Sequence, residues 1–274
     1  MPASYNASTM HRDLDSEVQR LRTQVLLSWE KEARTLGWFG LHDGLSILEL
    51  GSGPGFYTEK LLTLLPNSSL TALEIDPVLI ERAEHYLQND VGERLRFVEA
   101  SIMDTGLPDD SFDFAVARLI FCHLPDPVGA AKEILRVLKP NGKLVIIDID
   151  KSLQMLCDPP ILEIELVFQK FAQFQAKRGG NPYVGRKLWR ILQAAGFVNL
   201  DLEAVVCHSD ASGIEAFLPQ IDPEQAMHLA KQGMFSEEEV RSIIASRERF
   251  LSAPDPFILM QGLMACGEKS SLDN

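Results

Sequence analysis

The sequence is poor in cysteine, and its cysteines stand far apart. Only four of the 274 residues are cysteines, and tens of residues separate each one from the next. Structural zinc sites and redox-active pairs need two cysteines about two to four residues apart, so this spacing argues against both kinds of site. We therefore predict that the chain holds no metal and that its cysteines are reduced thiols, as in a cytoplasmic protein.

Long apolar runs and an excess of basic residues are also missing. No stretch approaches the roughly 18 apolar residues that a membrane-spanning helix needs, and residues 1–12 lack the apolar segment of a secretory signal. Lys and Arg number 26 against 39 Asp and Glu, which gives a formal net charge of -13. A general attraction to phosphate backbones or anionic lipid is not expected at that charge. We predict a protein that is not exported, not inserted in a membrane and without a nucleic-acid partner.

The remaining composition is that of a soluble globular protein. Hydrophobic residues make up 46% of the chain and charged residues 24%, which excludes disorder, collagen and coiled coil. A chain of this length can bury a substantial core as one large domain, alone or with an attached subdomain.

Residues 45–150 alternate short apolar runs rich in β-branched residues with amphipathic stretches. This pattern is typical of βαβ units around a buried parallel sheet. Asp76 and Asp126 each precede a proline, so each offers an N-cap acceptor in front of a proline at the first helical position. The five predicted strands cover residues 46–50, 70–75, 95–99, 113–118 and 143–149.

Helical patterns flank this region on both sides. Apolar residues recur every three or four positions over 13–36, which predicts a helix that packs across the sheet or onto a partner chain. Further predicted helices cover residues 158–178, 184–195, 223–232 and 236–251, and the last two strands cover 197–207 and 257–266. We divide the chain into an N-terminal helical cap (1–44), a cofactor-binding core (45–150) and the remainder of the sheet with lid insertions (151–274), which form one integrated domain.

The first predicted strand leads into the run Gly-Ser-Gly-Pro-Gly at residues 51–55. Glycines let the backbone approach a ligand closely, because a Cβ would clash there or forbid a positive φ. We interpret this turn as a cofactor loop rather than a tight turn without a ligand. Its Gly-x-Gly-x-Gly spacing differs from the Gly-x-Gly-x-x-Gly of dinucleotide folds.

Glu74 ends the second predicted strand, 23 residues after Gly51 (74 minus 51). A carboxylate at this place can accept both hydroxyls of a ribose, and its charge repels a 2′-phosphate. An adenosine-type ligand is therefore implied, and the alternative is a solvated acid at a strand end. Asp76 is better explained as the N-cap of the next helix than as a ligand contact.

Five short segments follow one another with spacings that point to one family. They are Leu-Glu-Leu-Gly-Ser-Gly-Pro-Gly at 48–55, Glu-Ile-Asp at 74–76, Leu-Pro-Asp-Asp-Ser-Phe-Asp at 107–113, His-Leu-Pro-Asp-Pro at 123–127, and Leu-Arg-Val-Leu-Lys-Pro-Asn-Gly at 135–142. Together they resemble the class I S-adenosylmethionine-dependent methyltransferases. The branch is the one that includes ubiquinone and menaquinone biosynthesis and many natural-product methyltransferases. The resemblance covers about residues 45–150.

The resemblance implies an α/β fold that is Rossmann-like. Its sheet has seven strands in the order 3-2-1-4-5-7-6 with the last strand antiparallel, helices on both faces and a helical lid. The implied function is transfer of a methyl group from S-adenosyl-L-methionine to a small-molecule acceptor, natural product or quinone-like, by in-line displacement. Alternatives are a nicotinamide-dependent oxidoreductase, which the missing sixth-position glycine disfavours, and a non-catalytic sensor or partner subunit that binds the cofactor. The apolar N-terminal helix is compatible with a homo-oligomer.

The resemblance also assigns cofactor contacts residue by residue. The implied contacts are Glu49 at the amino group, Gly51, Ser52, Gly53 and Gly55 around the methionine part, Glu74 at the ribose, and Ile75, Ser101 and Ile102 around the adenine. Ser101 departs from the family, since many relatives carry an aspartate there. A neutral hydroxyl makes a weaker hydrogen bond than a carboxylate. The contact of Ser101 with the adenine is therefore expected to be weaker than the contact of Glu74 with the ribose. Arg118 clamps the cofactor carboxylate or an acceptor anion, or else forms a salt bridge under the sheet.

Two histidines are candidates for a general base, which helps when the acceptor is a hydroxyl or an acidic carbon. His123 follows the fourth predicted strand on the cofactor side, and the reference pKa of histidine near 6.5 suits this role. The alternative is that His123 packs the turn that follows it. His208, after the sixth predicted strand, is the second candidate. Phe168 and Phe171 in the helix 158–178 belong to the core or to the acceptor pocket.

Overall fold

The computed structural model describes residues 14–87 and 92–271. The strands of these ranges are β1 (Ser46–Leu50), β2 (Ser69–Glu74), β3 (Leu95–Glu99), β4 (Phe112–Arg118), β5 (Leu138–Asp148), β6 (Met155–Asp158), β7 (Val198–His208) and β8 (Phe257–Glu268). The helices are α1 (Leu14–Trp38), α2 (Phe56–Leu64), α3 (Pro77–Leu87), α4 (Pro127–Val137), α5 (Leu162–Lys177), α6 (Leu188–Ala195), α7 (Ser209–Ser212), α8 (Glu224–Ala230) and α9 (Glu237–Leu251). The predictions for residues 1–12 fall outside the described ranges.

The strands form one mixed sheet in the order β3-β2-β1-β4-β5-β8-β6, with β7 paired to β8. Strands β1 to β5 are parallel, and β8 runs antiparallel to β5, β6 and β7. The predicted sixth and seventh strands are β7 and β8. The order 3-2-1-4-5-7-6 and the antiparallel last strand are therefore confirmed.

The predicted number of strands is wrong, because the sheet has eight strands and not seven. The additional strand is Met155–Asp158, which pairs with residues 257–260 of β8. β5 and β6 lie along the same edge of β8. Residues 143–148 of β5 pair with the later residues 263–268 of β8. The four residues of β6 include no β-branched side chain, so pairing with β8 rather than local preference makes this segment a strand.

Alternate residues of the central strands face two separate hydrophobic layers. In β4, Ala115 and Ala117 point to the layer that contains α4 and α6, whereas Phe114 and Val116 point to the layer that contains α1 and α2. Successive side chains of a strand point to opposite faces, so covering both faces buries five of the seven residues of β4. Full burial of one large apolar side chain contributes about 1.5–3 kcal/mol, and dozens of such residues hold the sheet between its helices.

The N-terminal helix α1 packs on its own chain. Val25 and Leu36 are buried in the layer that also contains Phe114, and α1 lies against α2, β7 and the 3-10 segment Ile214–Gln220. A homo-oligomer through this helix stays a prediction, as does the division of the chain at residues 44 and 150.

A lid of helices covers the carboxyl edge of the parallel strands. We use the name lid for α5, the segment Ile214–Gln220, α8 and α9. Ala226 and Ile243 belong to a small apolar cluster of α8 and α9, and Phe171 of α5 packs against it. In the described part of the chain, no helix is long and apolar enough to cross a membrane.

Candidate active site

A cavity of about 370 Å³ lies between the carboxyl ends of the strands and the lid. This volume falls in the range of small-molecule sites. Ten of the twelve predicted site residues line it: Glu49, Gly51, Ser52, Gly53, Glu74, Ile75, Ser101, Ile102, Arg118 and His123. The two that do not line it are Gly55 and His208.

The glycine-rich turn forms one wall of the cavity. Gly51, Gly53 and Gly55 all have a positive φ, which L side chains rarely adopt. The N–H groups of Gly51 and Ser52 donate to the carbonyl of Leu73 at 2.7 and 3.1 Å, which joins the turn to the end of β2. The conformation that the spacing predicts is therefore present.

Gly55, unlike Gly51 and Gly53, lies at a contact between two helices. It is the N-cap of α2, and a Cβ on it would lie 3.1 Å from Cβ of Ala83 and 3.2 Å from Cδ1 of Leu87. The missing side chain allows α3 to pack closely, so the structure places Gly55 in a helix contact and not in the cavity wall.

Gly51→Ala is expected to lower the free energy of unfolding by about 1–3 kcal/mol. Alanine at φ +70° is strained, and its Cβ would lie 2.3 Å from Cδ1 of Ile120. Gly44→Ala is the matched control, because Gly44 has φ +91° but no atom within 4 Å of the added Cβ. Urea unfolding of both variants measures the difference. Equal losses would mean that the Ile120 contact does not constrain the turn.

Glu74 lies at the rim of the cavity and binds three backbone N–H groups. Its Oε2 accepts from Gly53 at 2.9 Å, and its Oε1 accepts from Ile75 and Asp76 at 2.8 and 3.1 Å. A carboxylate has about four acceptor positions, and the three N–H groups use three of them. Roughly one position stays open for a ligand hydroxyl, and a second ligand hydroxyl must share a position with one of the N–H groups. Burial raises the pKa of Glu74, although the three N–H groups oppose this effect.

Apolar and hydroxyl groups continue the wall beyond Glu74. Ile75 is 54% exposed and lies at the cavity, so it offers an apolar surface to a flat ring. Ile102 is buried and lines the same cavity. The Ser101 Oγ accepts from the Met103 N–H at 3.1 Å and keeps its own proton for a ligand acceptor.

Glu49 is a carboxylate enclosed by the protein. It is 3% exposed, and its Oε2 accepts from the Thr58 hydroxyl at 2.7 Å. Burial raises its pKa from 4.5 to about 8, and the charge of Glu74 adds to this. A ligand ammonium placed at Glu49 would restore the carboxylate form, because an opposite charge favours ionisation.

Arg118 binds the N-terminal helix. Its Nε donates to Glu32 at 2.9 Å, and one terminal nitrogen donates to the Gln24 carbonyl and the Ser28 hydroxyl at 3.1 Å each. Arg118 is also among the residues that line the cavity, so the salt bridge is observed and a ligand contact stays a prediction. Its salt-bridge partner belongs to α1.

His123 is oriented by Gln175 of α5. The Gln175 Nε2 donates to the Cys122 carbonyl at 2.7 Å, which fixes the amide orientation, and lies 3.3 Å from Nδ1 of His123. Since this nitrogen can only donate, Nδ1 must accept and the ring proton of neutral His123 is on Nε2. Burial, followed by the charges of Lys151 and Arg20, lowers the histidine pKa to about 4. The ring is thus neutral at pH 7 and better suited to donate a hydrogen bond than to act as a base.

His208 lies away from this group. Its ring centroid is 6.1 Å from that of Phe257, at the end of β7. The structure therefore does not bring the two candidate histidines together, and a catalytic role of His208 stays a prediction without structural support.

Lys151 is a cavity residue that the sequence interpretation missed. Its Nζ donates to the Gln154 Oε1 at 2.8 Å and lies 5.3 Å from the centroid of the Phe168 ring. Burial lowers its pKa from 10.5 to about 8. Its position just after the fifth strand, at the same edge as Glu74 and Arg118, is a signal that could have identified it.

The chain is similar to known methyltransferases. Residues 48–146 match a family described as a methyltransferase domain. A malonyl-[acyl-carrier protein] O-methyltransferase of Paenibacillus is 29% identical over 170 residues, which cover 60% of this chain and 57% of that relative. A ubiquinone/menaquinone biosynthesis C-methyltransferase of Hahella chejuensis is 27% identical over 119 residues, or 43% and 48% of the two chains. The match thus spans about half the length of these curated relatives.

The fold resembles that of a solved methyltransferase. Phosphoethanolamine N-methyltransferase 2 of Haemonchus contortus, in complex with S-adenosyl-L-methionine, superposes with a TM-score of 0.57 over 88% of this chain and 53% of that chain. The two sequences are 16% identical, so this likeness shows the fold alone. Across residues 14–87 and 92–271, no cluster of three His, Cys, Asp or Glu residues is placed to hold a metal ion.

Proposed function

We propose that this chain, whose residues 48–146 belong to the class I S-adenosylmethionine-dependent methyltransferases, transfers a methyl group to a small-molecule acceptor under the lid. The observation that supports this most is the continuity of the cavity. It runs from the glycine-rich turn and Glu74 to Phe168 and Phe171 of α5. A donor bound at the turn and an acceptor bound under the lid would meet in one enclosed space.

The residues at the strand edge fit S-adenosyl-L-methionine group by group. Glu74 offers an acceptor to a ribose hydroxyl, Ile75 an apolar surface to the adenine, and Glu49 a carboxylate to the amino group. The Ser52 Oγ is buried and has no hydrogen-bond partner among the described residues, so it offers a donor at the turn. When bound, the cofactor supplies a methyl group on a positively charged sulfur.

The protein contributes position and exclusion of water, from which an in-line displacement can gain much of its rate. The lid closes the acceptor side with the apolar side chains of Ile164, Val167 and Phe171. His123 lines the cavity with a neutral ring, and in this proposal it contacts the acceptor and helps to orient the nucleophile. The apolar wall supports an acceptor with an apolar body, in line with a natural product or quinone-like molecule.

Calorimetry with S-adenosylhomocysteine and a fluorescence titration with NADH test this proposal. We expect one S-adenosylhomocysteine per chain and no NADH binding, because the turn lacks the dinucleotide glycine spacing. NADH binding without S-adenosylhomocysteine binding would favour an oxidoreductase. Turnover of a methyl-labelled donor with quinone-like phenols then separates an enzyme from a non-catalytic sensor or partner subunit.

A further inference from the structure

The helix α9 carries three arginines, and two of them are paired. Arg241 lies 3.6 Å from a carboxylate oxygen of Glu237, and Arg249 lies 3.7 Å from one of Glu163. Arg247 lines the cavity instead, and in the described part of the chain no carboxylate oxygen lies within 4.0 Å of it. Its Nε is buried and has no hydrogen-bond partner among those residues.

A second donor without a partner lines the same cavity. Gln220 ends the segment Ile214–Gln220, and its side-chain nitrogen is buried with no acceptor among residues 14–87 and 92–271. A buried donor left without an acceptor costs about 1–3 kcal/mol. Two such donors on two different lid elements, facing one cavity, indicate that a bound molecule supplies the acceptor atoms.

The charges around these donors favour an anion. The whole chain has a formal charge of -13, yet two basic side chains, Arg247 of the lid and Lys151 after β5, line this cavity. The carboxylate on the lid side is Asp222, whose Oδ1 accepts from the Glu224 N–H at 2.8 Å. Ile243 lies one helical turn before Arg247 on the same face of α9, so an apolar surface adjoins the guanidinium.

We infer that the methyl acceptor carries a carboxylate, which Arg247 and the Gln220 amide bind while its apolar part packs on α5. That the bound molecule is the methyl acceptor rests on the proposed function. The carboxylate-binding site itself, which we call the oxyanion site, rests on Arg247 and Gln220 alone. A guanidinium suits this ligand, because its planar donors match the geometry of a carboxylate.

Octanoate and octanamide are probes that share an apolar chain and differ in charge. We would titrate each into the full chain by calorimetry, with and without S-adenosylhomocysteine. Octanoate is expected to bind the wild type with millimolar affinity or better, and octanamide about tenfold more weakly. Arg247→Gln should weaken octanoate binding about tenfold, since it removes a charged hydrogen bond. The matched control is Arg241→Gln, on the same helix, which should leave the affinity unchanged.

A second variant separates binding from folding. Gln220→Met keeps the size and charge of the side chain but removes the amide donor, and it should weaken octanoate binding several-fold. Wild-type Tm and S-adenosylhomocysteine affinity in both variants would show that the fold is intact. The inference is overturned if octanoate does not bind the wild type, if octanamide binds equally well, or if Arg247→Gln has no effect. Octanoate binding without S-adenosylhomocysteine binding would instead remove the proposed function and leave the oxyanion site.

Discussion

Glu74→Ala is expected to weaken S-adenosylhomocysteine binding by about tenfold or more. The change removes the carboxylate that is available to the ribose, and hydrogen bonds to charged groups contribute about 1.5–3 kcal/mol. It also releases the N–H groups of Gly53, Ile75 and Asp76, which this carboxylate holds in the turn. Calorimetry at pH 7.5, with unfolding monitored in parallel, measures both effects.

Two further variants separate the contributions of Glu74. Glu74→Gln keeps an acceptor oxygen for the turn but lacks the charge, so it should lose affinity with a smaller loss of stability. Asp76→Asn is the matched control, because Asp76 caps α3 through the Val78 N–H and does not line the cavity. Asparagine caps helices as well as aspartate does, so its binding should be unchanged. Equal affinities of wild type and Glu74→Ala would refute the ribose assignment.

Glu49→Gln is expected to raise stability and lower cofactor affinity. The pKa of Glu49 is about 8 in the folded chain against 4.5 as the unperturbed value. Between these two pH values the folded state binds the additional proton, so the free energy of unfolding of the wild type falls as pH rises from 4.5 to 8. Glutamine removes this dependence. Thermal unfolding at pH 5 and pH 8.5 should show a higher Tm of the variant at the upper pH alone.

Cofactor binding should favour the ionised form of Glu49, whereas folding without a ligand favours the protonated form. A bound ammonium favours the carboxylate form, so binding to the wild type releases protons and becomes tighter as pH rises from 6 to 8. Glu49→Gln should bind S-adenosylhomocysteine about tenfold more weakly and without this pH dependence. Calorimetry in buffers of different ionisation enthalpy detects the proton release. Glu84→Gln, on the exposed side of α3, is the control, and an unchanged affinity of Glu49→Gln would remove the amino-group assignment.

The parallel half of the fold could be predicted because its signals are local. The strands Ser46–Leu50 and Leu95–Glu99 have the predicted bounds, since each is a short apolar run between turn residues. Asp126 accepts from the Gly129 N–H at 2.9 Å as the predicted cap of α4. The strand Met155–Asp158 could not be predicted in the same way, because its pairing depends on β8, about a hundred residues further along the chain.

The candidate site likewise contains some residues that local sequence signals predict and others that they do not. Glu49, Glu74 and Arg118 reach the cavity because the ends of parallel strands meet at one edge, which the sequence pattern reveals. Arg247 and Gln220 lie on lid elements whose position over the sheet depends on packing between distant segments. Nothing in the sequence around Arg247 distinguishes it from Arg249. The pKa of His123 likewise depends on enclosure by α5, which its position after β4 does not reveal.

The contact between Arg118 and α1 gives the N-terminal helix a part in the chemistry of the strand edge. Glu32, with 3% exposure, neutralises a guanidinium that stands at the ligand cavity. Shortening the chain to begin after residue 38 would leave the Arg118 guanidinium without this counter-ion. Under the proposed function, that unpaired charge would oppose binding of a positively charged sulfonium. Under the proposed function, α1 therefore neutralises a positive charge at the cavity in which we place the methyl donor.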